Sequence, residues 1–356
     1  MRSMWSGCQW GRRPACAGLA APPVGSSSQR GRRPEAPPQA GSLPHNGKPV
    51  VMIALLLMAL PALRAETFYV TIAGLGGEPE YEQQFEGWAK DLDKLLKQAE
   101  PKANITTMLG PGATKDLIEA KLHDIAQQSK PDDSLVLMLI GHGSFDESDY
   151  KFNIPGPDIT GTELANLLDK IPAKHQLVVN MTSCSGASIM SLEKPGRVVI
   201  AATKTGTEKN ATYFARYWIE ALRDPSADAD KNQEISALEA FRYAEEKTAK
   251  FFETQNRLAT EHAMLEDTGK GEGVKAPGPD NGEGLVAGHF AVLHLGAVSA
   301  QLNDPEKLKL LKHKEELEQA IDELKYKKAS MDYNQYRQQL QNYLIELAKT
   351  QEALDK

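Results

Sequence analysis

The stretch LVLMLIGHGSFD, residues 135–146, decides the fold of this chain. Its first six residues are apolar without a break, and the chain then turns polar at GHGS, residues 141–144. A short, continuous apolar run that ends in glycines is typical of a strand buried on both faces of a parallel sheet. The sequence therefore predicts a central strand whose carboxyl end brings His142 to the edge of the sheet.

The first 65 residues differ from the rest of the chain in composition. Residues 1–49 are rich in Pro, Gly, Ser and Arg and have no apolar periodicity, which predicts a disordered extension. The apolar run over residues 50–62 and the small residue Ala65 after it are typical of a secretory signal peptide. We expect residues 1–65 to be removed and the protein to be periplasmic or secreted, with no stable membrane span. A short membrane anchor is the alternative.

The charge and cysteine content of residues 66–356 narrow the class of protein. These residues carry 33 basic and 47 acidic side chains, a net charge of −14, and lack the basic stripe of a nucleic-acid binder. Cys184 is their only cysteine. Because thiols of exported proteins usually pair, a single one is either buried and inert or kept as a reactive thiol.

Strands and helices alternate along residues 66–300, which we interpret as one α/β domain. Apolar, β-branched runs predict strands over residues 67–73, 104–109, 135–140, 177–181, 198–202 and 285–295. Helical spacing of apolar residues predicts helices over residues 81–100, 162–168, 212–222 and 236–258, and another that Thr114 caps. The continuous apolar strands predict a mostly parallel central sheet with helices on both faces.

Residues 301–356 form a highly charged appendage. Two apolar stripes at helical spacing, one near Leu317 and Ile321 and one near Leu340 and Leu347, predict an α-helical hairpin or coiled coil. Asp332 begins the second helix. The stripes need a surface to cover them, so we expect docking, oligomerisation or a partner protein. A solvated stalk is the alternative.

A second predicted strand, like the first, is an apolar run followed by a polar segment. In QLVVNMTSCSGAS, residues 176–188, an apolar run is followed by a polar segment that contains Cys184. In open parallel sheets, ligands bind outside the carboxyl ends of the strands. If the two strands are neighbours, which right-handed crossovers favour, His142 and Cys184 approach within hydrogen-bonding range.

This pairing is the arrangement that thiol catalysis requires. An imidazole stabilises the nucleophilic thiolate and then protonates the leaving amine. The backbone N–H groups of Gly143 and Cys184 would form the oxyanion hole. Taken singly, the histidine is an ordinary loop residue and the cysteine a small core residue. Together, at matching strand ends and with the cysteine unpaired, they predict a catalytic pair.

The pattern strand–His-Gly, followed 42 residues later by strand–Ser-Cys, resembles the caspase-type clan of cysteine peptidases. It is most similar to the legumain-like family, which includes the catalytic subunit of the glycosylphosphatidylinositol transamidase. VVIAATKTGTEKNATYFARYW, residues 198–218, resembles that family's segment lining the primary specificity pocket. The resemblance covers residues 67–298. It implies a caspase-like three-layer sandwich, a dyad of His142 and Cys184, an oxyanion hole at Gly143, a peptide or protein substrate and no required cofactor.

Two positions depart from the family pattern and leave the substrate preference open. Legumains often carry an acidic residue before the histidine, where this chain has Gly141, and an arginine after the first strand, where residues 74–79 contain no base. Asparagine specificity is therefore not predicted, and Glu78, Glu80 or Asp146 would favour a basic or polar side chain. The candidate substrate-binding residues are Ser183, Thr203, Thr205 and Asp146.

A second motif, DADKNQEISALE at residues 228–239, has the spacing of a calcium loop. Its candidate ligands, at loop positions one, three, five, seven and twelve, are Asp228, Asp230, Asn232, the backbone carbonyl of Glu234, and Glu239. Gln233 stands at the sixth position, where glycine is usual. A capping box of Ser236 and Glu239 after an acidic turn is the simpler alternative. Ca²⁺ is thus the one candidate cofactor.

The sequence as a whole predicts an exported cysteine endopeptidase that acts through an acyl-enzyme thioester, or a transpeptidase built on the same dyad. Two other classes remain open. One is a non-catalytic caspase-like scaffold that binds partners through its C-terminal helices. The other is a cysteine esterase of the α/β-hydrolase type, although Thr182 replaces the first glycine of that elbow and the histidine there follows the nucleophile.

Overall fold

The computed structural model describes residues 65–295 and 305–355. The extension and signal peptide predicted over residues 1–65 lie outside this range, apart from Ala65. Within the described part of the chain, no helix is both long enough and apolar enough to cross a bilayer.

A six-stranded sheet lies at the centre of the structure. The strands, in chain order, are β1 (Thr67–Ala73), β2 (Asn104–Met108), β3 (Ser134–Ile140), β4 (Gly143–Phe145), β5 (Tyr150–Phe152), β6 (Ile159–Thr160), β7 (His175–Asn180), β8 (Arg197–Ala201), β9 (Glu234–Ser236), β10 (Met264–Glu266) and β11 (Ala291–His294). The central sheet has the order β10-β8-β7-β3-β1-β2, and only β10 runs antiparallel. The predicted mostly parallel sheet is confirmed.

Helices cover both faces of the sheet. They are α1 (Pro79–Ala99), α2 (Lys115–Gln128), α3 (Gly161–Leu168), α4 (Ile189–Leu192), α5 (Phe214–Ala221), α6 (Ala237–Thr254), α7 (Leu285–Gly288), α8 (Pro305–Lys327) and α9 (Tyr333–Leu354). Alternate residues of β3 face opposite layers: Val136 and Met138 pack in the core with α1, α5 and α6, whereas Leu135 and Leu137 pack with α2 and α3. The three-layer α/β architecture follows from this alternation.

Short elements differ from the sequence prediction. The predicted strand over residues 285–295 is instead α7 followed by β11, which pairs with β9 in a separate two-stranded sheet. Helix α5 begins at Phe214 rather than Thr212, because the Thr212 hydroxyl donates to the Met181 carbonyl. Helix α6 ends at Thr254, four residues before the predicted end. Strand β10 and the small antiparallel sheet β4-β5-β6 were not predicted.

The C-terminal hairpin is confirmed as two helices, and α8 docks on the α/β domain. Leu317, Ile321 and Leu324 of α8 are buried, and the Tyr326 hydroxyl donates to the Glu283 carbonyl at 2.8 Å. Asp332 caps α9 by accepting from the backbone N–H groups of the two residues that follow Tyr333. Part of the predicted apolar stripe is therefore covered by this chain itself, which excludes a fully solvated stalk.

Candidate active site

The ends of β3 and β7 lie side by side, as the sequence predicts. The two strands pair in parallel with Leu139 opposite Asn180, so the residues after them reach the same edge of the sheet. The Ser183 hydroxyl joins the two ends: it accepts from the Gly143 N–H and donates to the Gly143 carbonyl, both at 3.0 Å. The segment that carries His142 is thus hydrogen-bonded to the segment that carries Cys184.

Gly143 is required at this junction because no side chain fits there. A Cβ atom on Gly143 would lie 2.5 Å from the Ser183 carbonyl oxygen and 2.5 Å from the Tyr150 ring. A buried network holds the other side: the Tyr150 hydroxyl meets Thr182 Oγ1 at 2.7 Å, and Asn180 Oδ1 accepts from Thr182 Oγ1 at 2.8 Å. These fully satisfied contacts make the junction rigid.

The His142 imidazole is half-buried between two aromatic rings of α1. Its centroid lies 5.2 Å from that of Tyr81 and 5.1 Å from that of Phe85, and both rings meet it edge to face. Burial lowers the pKa of His142, while a hydrogen bond to the Gly76 backbone and the charge of Glu78 raise it. The net lowering favours a neutral imidazole, the form that can accept a proton from a thiol.

Cys184 occupies a strained turn and is shielded from solvent. Its backbone has φ 58° and ψ 7°, a left-handed conformation that costs a non-glycine residue about 1–2 kcal/mol. The residue is 1% exposed and packs in the apolar layer with α2 and α3. Burial raises the pKa of the Cys184 thiol, against the positive charge of Lys209, which lowers it. In this geometry the sulfur is a protonated thiol at neutral pH.

The dyad geometry is therefore not assembled in this structure. Among residues 65–295 and 305–355, no hydrogen bond joins the His142 ring to the Cys184 sulfur. Both predicted oxyanion donors are also engaged, since the Gly143 N–H bonds Ser183 and the Cys184 N–H donates to the Glu208 carbonyl at 2.8 Å. The oxyanion hole stays a prediction that needs these two N–H groups to be released.

Glu208 connects the segment after β8, residues 203–208, to Cys184, because its backbone carbonyl accepts from the Cys184 N–H. Its carboxylate accepts from the Lys204 N–H at 2.7 Å and from the His262 N–H at 3.3 Å, and its Oε1 lies 2.5 Å from His262 Nδ1. Close by, the buried Glu261 carboxylate accepts from the N–H groups of Tyr213 and Phe214 at the start of α5. We name this set, Glu208, His262 and Glu261, the acidic clamp.

The sequence did not point to the acidic clamp or to the aromatic pair around His142. Any residue offers a backbone carbonyl, so nothing marks Glu208 as the acceptor that occupies the Cys184 N–H. The apolar spacing of residues 81–100 indicates only that Phe85 faces the core, not that it contacts His142. His262 lies on the segment before β10, and that strand was too short for its periodicity to be recognised.

The four predicted substrate-binding residues occupy different environments. Thr203 is fully buried and braces the turn after Cys184, because its hydroxyl accepts from the Gly186 N–H at 2.8 Å. Ser183 is buried against Gly143. Thr205 is exposed beside the site, and its hydroxyl meets that of Thr207 at 2.7 Å. Asp146 is exposed and paired with Lys151 at 2.6 Å, and this hydrogen bond lowers the pKa of Asp146. Only Thr205 and Asp146 face solvent in this structure.

The predicted calcium loop brings three of its five residues together. Asp228, Asp230 and Glu239 each place one carboxylate oxygen within 4.8 Å of the other two, the only such group of three found in the described ranges. Burial and the charge of Glu239 raise the pKa of Asp230. Of the remaining two residues, the Asn232 side-chain oxygen accepts from the Glu234 N–H. The Glu234 carboxylate lies 3.3 Å from His294 Nε2, which leaves the backbone carbonyl predicted as its ligand atom a prediction.

The capping box predicted as the alternative for this loop is also present. Ser236 and Glu239 exchange hydrogen bonds at the start of α6. Gln233, at the position where glycine is usual, adopts the left-handed conformation with φ 71°. Calcium binding stays a prediction.

Comparison with known proteins gives similarity of fold at low sequence identity. No family model matches the sequence, and no curated protein matches it. Solved structures similar to the chain include protein GSU0716 from Geobacter sulfurreducens, the Drosophila initiator caspase Dronc, and drICE.

The extent of these alignments is similar in the three cases. GSU0716 is 13% identical with a TM-score of 0.37, over 51% of this chain and 89% of its own. Dronc is 13% identical with a TM-score of 0.40, over 60% and 82%, and drICE is 12% identical with a TM-score of 0.37, over 57% and 87%.

Proposed function

We propose that this protein is a cysteine endopeptidase of the legumain-like type, with Cys184 as nucleophile and His142 as general base and acid. The observation that carries the proposal is the parallel pairing of β3 with β7, with Leu139 opposite Asn180. It brings the segments that follow both strands, with His142 and with the only cysteine of residues 66–356, to the same edge of the sheet. A strained backbone at that cysteine is a further support, because such strain persists where function requires it.

The chemistry assigns each group one role. The Cys184 thiol gives its proton to His142 and the sulfur attacks the peptide carbonyl carbon, so that a C–S bond forms. The C–N bond then breaks as the imidazolium returns the proton to the leaving amine. Water then attacks the thioester carbonyl carbon and gives a proton to His142, so that a C–O bond forms. The C–S bond breaks, the carboxylic acid leaves, and the imidazolium returns its proton to the sulfur. An amine in place of water gives transpeptidation.

The structure corresponds to a resting state in this proposal. The segment over residues 203–208 must move away from Cys184 before a substrate carbonyl can reach the sulfur and the Cys184 N–H. Removing the segment exposes the thiol to water and to His142, which lowers the cost of forming a thiolate. We therefore expect activity to be limited by opening of the acidic clamp.

Export is a separate part of the proposal. The apolar run over residues 50–62 and the single unpaired cysteine support a periplasmic or secreted protein. Mass determination of the N-terminus after expression in a secreting host tests it, and retention of residues 1–65 would contradict it.

A peptide-library cleavage profile tests the activity. The chain is incubated with a diverse library in reducing buffer, and new termini are read by mass spectrometry, with Cys184→Ala as the control and Glu208→Ala as a second, opened variant. We expect cleavage by the wild type, more by Glu208→Ala and none by Cys184→Ala. Cleavage that survives Cys184→Ala, or no cleavage by either form with the cysteine intact, would exclude the peptidase and favour the scaffold alternative.

A further inference from the structure

Helix α9 carries two stripes of side chains, and only one of them is covered. Along the face that packs on α8, half-buried residues recur at helical spacing, at Tyr336, Leu340, Tyr343 and Leu347. A second stripe is exposed, and at 3.6 residues per turn its members lie within about 120° of the helix surface. We name it the α9 seam: Tyr333, Arg337, Gln341, Leu344, Ile345, Ala348 and Glu352.

The α9 seam concentrates exposed apolar surface. Within residues 65–295 and 305–355, eight large apolar side chains are exposed, and three of them belong to the seam. Tyr333 is 64% exposed, Leu344 49% and Ile345 47%. Leu344 and Ile345 lie at the middle of α9, and a charged residue lies toward each end. An apolar centre between charged ends is typical of a helix–helix contact.

The charges of the seam complement those of a second copy of the same helix. In an antiparallel pair with a two-fold axis between Leu344 and Ile345, each residue meets the one at the same distance on the other side of the axis. Leu344 then meets Ile345 of the second copy, and Arg337 meets Glu352. By symmetry the Arg337–Glu352 pair forms twice, once at each end of the contact.

The same charges oppose a parallel pair. A parallel arrangement would set Arg337 against Arg337 and Glu352 against Glu352, and like charges that face each other are unfavourable. Coiled-coil seams select their orientation through such pairs. The Arg337 guanidinium already lies over the seam, because its carbon is 5.8 Å from the centroid of the Tyr333 ring.

We propose that the α9 seams of two copies pack antiparallel about this axis and make the protein a homodimer. The inference does not depend on the proposed peptidase function, because α9 contributes no residue to the candidate active site. One helix from each copy gives a small interface, so we expect a dissociation constant in the micromolar range.

Sedimentation equilibrium of the protein between about 1 and about 300 μM measures this association. Leu344→Lys places a charge at the apolar centre in both copies and should leave the protein monomeric over the whole range. Leu258→Lys is the matched control, because Leu258 is 91% exposed and lies outside α9. It should dimerise like the wild type.

Exchange of the two charges tests the antiparallel arrangement itself. Arg337→Glu and Glu352→Arg each turn two attractive pairs into repulsive ones, and each should weaken the dimer about tenfold. The double variant restores opposite charges and should return the dissociation constant to within about threefold of the wild-type value. An acidic residue near the start of α9 and a basic one near its end suit the helix dipole, so the helix should stay intact. Circular dichroism and melting temperatures check this.

Each outcome decides the proposal. A dimer that Leu344→Lys abolishes and the double exchange restores supports it. Protein that stays monomeric at about 300 μM overturns it, and this is the result expected if the seam binds only a different protein. A dimer that survives Leu344→Lys uses another surface, and a double exchange that fails to restore the dimer excludes the antiparallel pair.

Discussion

The two halves of the candidate site are built from the same sheet edge but stand in opposite states. The His142 half, at β3, is partly open: the imidazole is half-buried between two aromatic rings of α1. The Cys184 half, at β7, β8 and β10, is closed by residues 203–208 and the acidic clamp. A parallel sheet therefore fixes where both chemical groups lie, while the loops that follow its strands decide whether each can react.

The largest expected effect is a difference in activity between variants of two histidines, His142 on one half of the site and His262 on the other. His142→Ala should lower kcat/KM for a library-derived peptide by about 1000-fold, since it removes the general base and acid. His262→Ala is the matched variant on the Cys184 half. It only weakens the hold on Glu208, so it should not lower turnover. The comparison breaks if His262→Ala costs as much activity as His142→Ala.

The next largest expected effect is the pH dependence that Glu261, on the Cys184 half, gives to the free energy of unfolding. Burial raises the pKa of Glu261 from 4.5 to about 7, partly offset by the N–H groups of Tyr213 and Phe214. Between about pH 4.5 and about pH 7 the folded chain holds this proton and the unfolded chain has lost it. The free energy of unfolding therefore falls as the pH rises through this range. Full ionisation costs about 3 kcal/mol.

Urea unfolding at about pH 5 and about pH 8 measures this term. The wild type should lose about 2.5 kcal/mol more between the two pH values than Glu261→Gln does, because a small part of the effect is already lost at about pH 5. Glu253→Gln, at an exposed position of α6, serves as the control and should behave like the wild type. Equal losses in wild type and Glu261→Gln would show that Glu261 does not hold its proton in the closed site.

A smaller effect concerns access to the sulfur. Glu208→Ala should raise the rate at which iodoacetamide alkylates Cys184 by about tenfold, because it removes the side chain that anchors residues 203–208. Glu253→Ala is the control. An unchanged alkylation rate in Glu208→Ala would mean that the acidic clamp does not close this half of the site.

The smallest effect lies in a region that belongs to neither half. Millimolar calcium should raise the melting temperature by about 3 °C through Asp228, Asp230 and Glu239, and Asp230→Ala should abolish the rise. Alkylation of Cys184 should not respond to calcium. No rise in the wild type would leave the Ser236–Glu239 capping box as the sole role of this loop.

Most of the central sheet could be predicted because its strands are long and continuously apolar. Strand β3 is fully buried over residues 135–140, and a run of that kind leaves little choice of structure. Strand β10 has three residues and β6 has two, so neither shows a period that can be recognised. Residues 285–288 were wrongly predicted as strand because a short apolar run fits a helical turn equally well.

The sequence by itself determined that a histidine and a single cysteine follow two buried strands, because apolar runs and the number of cysteines can be observed without knowing the fold. Only the tertiary structure decided the state of that pair. The closed segment is held by a backbone carbonyl at Glu208, and the raised pKa of Cys184 comes from burial. Both depend on which loops meet at the sheet edge, and a backbone carbonyl carries no side-chain signal that a sequence could show.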